Sequence, residues 1–260
     1  MKCPAAADDI VKAVEAGKLD IMYVDECVNR VLDLIEITTA GEKGKEFNKE
    51  AHHELAKECA DECMVLLKNN GILPIAKSTS IALVGDFASK PRYQGAGSSI
   101  VNPTKLASVM EDTREFPFKV IGYAQGFERY GKHKTVHIDR AVELAKKADV
   151  TLFFAGLDEF SEAEGLDRQT LKVPENQINM YKALKAAGVK VVVVLSCGSA
   201  VYMDWARDAD AILYAGLSGQ AGAAAILDVL SGKVNPSGKL AETWSTPEIP
   251  CASESYFPGK

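Results

Sequence analysis

Lys190-Val191-Val192-Val193-Val194-Leu195-Ser196 is the stretch that decides the fold. Four successive valines are stiff at χ1 and fit a pleated surface better than a helix. With no polar residue alternating among them, such a strand is covered on both faces, as in a parallel sheet. Working outward, similar apolar runs occupy residues 80–84, 118–121, 149–155 and 211–215. Helical patterns fall between or after them, over about 104–110, 137–147, 175–187 and 219–231. Strand–helix alternation at this spacing predicts an α/β fold: a three-layer α/β/α sandwich with a mostly parallel sheet of about five to six strands.

A helical segment precedes this core. Residues 5–16 carry Ile10, Val11 and Val14 on one stripe and stop at Gly17. Residues 24–35 repeat the pattern with Val28, Val31, Leu32 and Ile35, and Asp25 complements the helix dipole near the start. Residues 38–45 are polar and hold two glycines, which reads as a linker. A third helix is predicted over 49–67, ended by Lys68-Asn69-Asn70-Gly71. The Pro-rich residues 245–260 read as irregular. The expected division is therefore 1–45 as helical segment and linker, 46–245 as the α/β domain, and 246–260 as a tail.

Composition excludes several classes of function. Hydrophobic residues make up 47% and charged residues 25% of the 260, ordinary for a globular chain with a sizeable core. The net charge of −6 is spread along the sequence, with no Lys/Arg stripe to neutralise phosphates, so no nucleic-acid partner is expected. No run of eighteen apolar residues predicts a membrane span. The six cysteines, Cys3, Cys27, Cys59, Cys63, Cys197 and Cys251, are scattered, which points to reduced thiols and a cytoplasmic chain. No second Cys or His pair accompanies Cys59 and Cys63, so neither metal nor cofactor is expected. The first strand ends in Gly85-Asp86-Phe87-Ala88, without the G-x-G-x-x-G turn of a dinucleotide site, and Gly131-Lys132-His133-Lys134-Thr135 lacks P-loop spacing.

In a parallel sheet, ligands gather on the loops beyond the carboxyl ends of the strands. The densest such loop is Gly156-Leu157-Asp158-Glu159-Phe160-Ser161-Glu162-Ala163-Glu164-Gly165-Leu166-Asp167-Arg168. Crowded carboxylates resist joint ionisation, and a raised carboxyl pKa is what a general acid needs. A solvated acidic surface loop is the plain alternative.

Several strings then carry a resemblance. Glu162-Ala163-Glu164-Gly165-Leu166-Asp167-Arg168, with Leu171, Pro174 and Gln177 after it, is similar to the "ESEGxDR…LP…Q" pattern of glycoside hydrolase family 3. In the same order as in that family stand Val65 to Pro74 ("VLLKN…LPL"), Gln94-Gly95-Ala96-Gly97-Ser98-Ser99 ("GxGSS"), Gly219-Gln220-Ala221-Gly222 ("GQxGG") and Gly232 to Leu240 ("GxxNPSGKLP"). Residues 11–35 resemble the last helices of the family's (β/α)8 barrel.

The resemblance implies a β-glucosidase-like enzyme of the retaining class, with the nucleophile on the barrel and the acid/base on this domain. Glu164 matches the acid/base position, with Glu162 the runner-up. Ser98 is expected either to bond a sugar hydroxyl or to shape a tight turn. Asp167 and Arg168 are expected to pair with each other and fix the loop, or to contact sugar, and Arg92 is a candidate of the same kind. Trp205 and Trp244 are expected in the core or stacked on sugar. The implied partners are a β-glycoside and the barrel, with self-association of an exposed apolar face. The competing expectation is a module that binds sugar or another domain without catalysis.

Overall fold

The computed structural model describes residues 6–41, 44, 46–113, 118–130 and 135–256; Cys3, parts of the 38–45 linker, residues 131–134 and the end of the tail lie outside them. The chain divides into two units, residues 1–47 and 48–260. In the first, α1 spans Ala6–Glu15 and α2 spans Ile21–Ala40. Asp20, not Asp25, starts α2: its carboxylate accepts from the Met22 N–H at 2.9 Å. The expected linker begins later than its composition suggests. Thr38 and Thr39 bond back to the Leu34 and Ile35 carbonyls, which satisfies their hydroxyls inside the last helical turn.

Among its described residues the second unit holds six strands: β1 (Val65–Asn69), β2 (Ser80–Val84), β3 (Lys119–Ala124), β4 (Val150–Gly156), β5 (Val191–Ser196) and β6 (Ala211–Tyr214). Their order across the sheet is β1-β6-β5-β4-β2-β3. Every pairing is parallel except β1 with β6. All of β4 and β5 is buried, as an unbroken apolar strand demands. Helices α5 (Thr135–Ala145) and α6 (Glu175–Ala186) pack on each other, and α5 also covers β2 and β3. Helices α3 (Lys49–Cys63) and α4 (Val109–Asp112) pack on α7 (Gly222–Ser231). The result is the expected three-layer α/β/α sandwich.

Two helices expected from sequence change. The third does not run to Leu67; it ends at Cys63, and Val65–Asn69 is the antiparallel edge strand β1. Pairing with β6, from Val65 opposite Tyr214 to Asn69 opposite Ala211, outweighs the local helical pattern. The helix expected over 104–110 is reduced to the single turn of α4, fixed by a reciprocal capping box between Ser108 and Glu111.

Strand β2 enters its loop through Gly85, at φ +117°. A Cβ there would lie 2.2 Å from the Phe154 carbonyl oxygen of β4, so glycine is required by both dihedral and space. Gly85→Ala is expected to lower unfolding stability by about 2 kcal/mol or more. Denaturant titration checks this, and a loss below about 0.5 kcal/mol, within the range of neutral surface changes, would contradict the crowding.

Candidate active site

The connections after β2 and β4 leave for different layers. The one after β2 passes through α4, on the α7 side, and the one after β4 passes through α6, on the α5 side. Because β2 and β4 are neighbours, their carboxyl ends form the switch point of the sheet, the usual ligand position in such folds. The loops that meet there are those of Ser98 and Glu164.

The β4 loop is fastened at its base. The buried Gln177 side chain accepts from the Gly156 N–H at 2.9 Å and donates to the Gly156 carbonyl at 3.0 Å. Asp158, also buried, accepts from the N–H groups of Phe160 and Ser161 at 2.9 and 2.8 Å and turns the chain outward. Arg92 is only 3% exposed. Its guanidinium donates to the carbonyls of Leu157 at 3.2 Å and Glu162 at 2.9 Å, and to that of Gln94. It thus joins the β2 loop to the β4 loop from beneath, and its fork geometry serves several acceptors at once.

The two candidate acids stand in different surroundings. The Glu162 carboxylate turns toward the loop after β5, accepting from the Gly198 N–H at 2.8 Å and from the Ser199 hydroxyl at 2.7 Å. Arg92 lies 4.0 Å from it. Glu164 is exposed at the loop tip. Its N–H donates to the Ala96 carbonyl at 3.0 Å, and its carboxylate accepts from the Ser98 N–H at 2.6 Å and from the Ser98 hydroxyl. Gly97, at φ +107°, permits this approach, since a Cβ there would sit 2.6 Å from that of Glu164.

These contacts correct one electrostatic expectation. The two Ser98 donors hold the Glu164 carboxyl below its ordinary value, the hydroxyl having the larger effect. In this structure Glu164 therefore rests as an ionised acceptor, not as a proton donor raised by crowding. Nearby, burial first and then the Glu162 charge push the Cys197 thiol up to about 12, which leaves it a packing group.

Arg168 also departs from expectation. It does not pair with Asp167; it donates to the Ser199 hydroxyl at 2.7 Å, the Ala200 carbonyl at 2.9 Å and the Thr170 carbonyl at 3.2 Å. Asp167 is exposed. Trp205 packs edge-on against Tyr181 at 5.1 Å, and Trp244 against Tyr214 at 4.9 Å. On the flank toward β3 lies a groove of about 680 Å³, bordered by Arg129, Tyr130, Phe160 and Lys172. Phe160, 73% exposed, meets Tyr130 edge-to-face across 5.1 Å. Neither Glu162, Glu164 nor Ser98 lines that groove. Glu164 stands in the open, where only a ligand not enclosed by this chain could meet it.

Sequence reasoning missed Ser199, Gly198 and Glu242, whose carboxylate accepts from the Ala200 N–H at 2.7 Å. The loop after β5 lies at a strand end, where ligands gather, but its sequence does not mark which residues it offers.

A parallel α/β/α domain that presents an acidic loop at its switch point is the class of protein defined here. Residues 64–256 match the glycosyl hydrolase family 3 C-terminal domain, and the chain belongs to glycoside hydrolase family 3. It is 41% identical over 257 residues to thermostable β-glucosidase B of Acetivibrio thermocellus, with 96% of this chain and 34% of that one covered. It is 40% identical over 255 residues to an exo-α-(1→6)-L-arabinopyranosidase of Bifidobacterium breve, covering 92% and 34%. Among solved structures it resembles the family 3 β-glucosidase of Bifidobacterium adolescentis, with a TM-score of 0.83, 40% identity, and coverage of 100% of this chain and 39% of that one. The chain thus spans about a third of the length of the curated relatives it matches.

If Ser98 lowers the Glu164 pKa, Ser98→Ala should let it rise toward the ordinary glutamate range. Carboxyl-carbon NMR titration of the chain reads this, and an unmoved Glu164 titration would refute it. The sign follows from linkage. A depressed folded-state pKa contributes stability above the unfolded value, lost as pH falls through the folded value.

Proposed function

We propose that this chain is the acid-bearing part of a retaining β-glycosidase, with Glu164 as the acid/base and the nucleophile supplied by a (β/α)8 barrel outside it. The observation that carries this reading is the contrast between the two glutamates. Both carboxylates accept two hydrogen bonds, but Glu162 is half-buried against Gly198 and Ser199, whereas Glu164 is exposed at the tip of a fastened loop at the carboxyl ends of β2 and β4.

In such an enzyme the acid protonates the departing glycosidic oxygen, then withdraws a proton from the attacking water. A nucleophile carboxylate stands about 5–5.5 Å from the acid in retaining enzymes. A like charge at that distance, with water excluded, raises the acid's pKa. Loss of the Ser98 bonds acts in the same direction, and frees the hydroxyl for a sugar oxygen. Asp167, exposed beside the tip, is the second proposed sugar contact. Arg92 and Arg168 support the site by holding carbonyls of its loops.

The β-glucosidase and arabinopyranosidase relatives support a glycoside as substrate without choosing the sugar. The competing role is a sugar-binding or domain-interaction module that does no chemistry.

The test mixes the chain with a separately expressed family 3 barrel and follows hydrolysis of β-glucosides. Activity is expected only in the mixture; a bound but inactive mixture would favour the module. In the active mixture, Glu164→Gln should slow alkyl glucosides by about 10²-fold or more, and activated aryl glucosides far less. Equal slowing of both classes would remove Glu164 from the acid role.

A further inference from the structure

Ser199 lies in the loop after β5 and hydrogen-bonds neither Glu164 nor the Ser98 loop, yet both legs of the acid loop converge on it. Glu162, on the outgoing leg, accepts from its hydroxyl at 2.7 Å. Arg168, on the returning leg, donates to the same oxygen at 2.7 Å. A hydroxyl has one proton to give and lone pairs to receive, so one Ser serves both partners at once. Both bonds involve a charged partner, the stronger class. The surrounding backbone completes the joint. Gly198 N–H donates to Glu162, and the Ala200 carbonyl accepts from Arg168. Glu242, from the C-terminal segment, holds the Ala200 N–H at 2.7 Å.

Residues 163–167 are thereby a short tip closed at its neck, where the Ser199 hydroxyl is bonded by side chains of both legs. A tip with an open neck would sample many placements of Glu164, because each freed backbone residue regains conformational entropy. A catalytic group must hold its place within a fraction of an ångström.

We propose that Ser199 is a positioning residue for Glu164: by bridging Glu162 and Arg168 it closes the loop neck and sets the tip against Ala96 and Ser98. Its importance for catalysis rests on the reading of Glu164 as acid/base; its effect on the loop does not, so the two can fail separately. Glu162, on this inference, acts through the joint and not on the substrate.

The experiment compares Ser199→Ala with Ser199→Thr in the 260-residue chain. Threonine keeps a hydroxyl that can give and receive; alanine removes both bonds. Amide hydrogen exchange at residues 163–167 should speed up about tenfold in Ser199→Ala, the effect of losing charge-assisted bonds from a local opening equilibrium. In the same variant the Glu164 carboxyl should titrate nearer its ordinary value, because its hold on Ser98 loosens. Ser199→Thr should restore both signals. Should Ser199→Ala not fold, Arg168→Gln removes the charged donor at that hydroxyl and should show the same loosening. Wild-type exchange and Glu164 titration in a folded Ser199→Ala would overturn the proposal, as would a Ser199→Thr variant that matches alanine. Neither result bears on the acid role, which Glu164→Gln decides by its leaving-group dependence.

Discussion

The meeting of the loops after β2 and β4 depends on the buried guanidinium of Arg92. It sits beneath two loops that come from adjacent strands and bonds carbonyls in both, at Gln94, Leu157 and Glu162. Backbone carbonyls in irregular segments have no ladder to satisfy them, and leaving them buried and unpaired is costly. One rigid fork answers several of them from a single position. Without it, the Gly95–Ser98 segment and the acid loop would have no common reference. The hydrogen bonds that link Glu164 with Ala96 and Ser98 would then join two independently moving segments.

Above that platform the two glutamates divide the work. Two residues apart in sequence, they face opposite neighbours: Glu162 toward the β5 loop and Glu164 toward the β2 loop. Such divergence reduces the mutual repulsion that their proximity in sequence suggests. Each finds hydrogen-bond donors on its own side. The exposed one is then free to respond to whatever charge approaches the tip.

Much of this was legible from residues alone, for definite reasons. The runs at 149–155 and 190–196 are apolar on both faces, and only a central parallel strand satisfies that pattern. They differ from β4 and β5 by one residue at the start of each and at the end of β4. Strand β1 was hidden because Val65-Leu66-Leu67 continues the apolar content of α3, and only its partner β6, far along the chain, makes it extended. The acid loop was visible through its carboxylates and motif. The pairing of Arg168 was not, because nearness in sequence pointed to Asp167, while a hydroxyl and a carbonyl in the β5 loop offer it two bonds. Long-range hydrogen bonds between irregular segments leave no periodicity for a sequence reading to detect.

The resting state of Glu164 has a consequence for the proposed division between two bodies. Ser98 stabilises the charged form through an exposed pair of hydrogen bonds, a small effect that solvent screens. An opposing carboxylate at about 5 Å in a dry crevice acts without that screening and in the other sense. On the proposed reading of Glu164 as acid/base, the larger effect makes the same side chain an ionised acceptor on this chain and a proton donor only when the second carboxylate is in place. On that account the proton needed for leaving-group departure becomes available only in the assembled site. A domain that kept its acid permanently protonated would instead need to bury it, and a buried carboxyl could not reach across a crevice to a sugar held elsewhere.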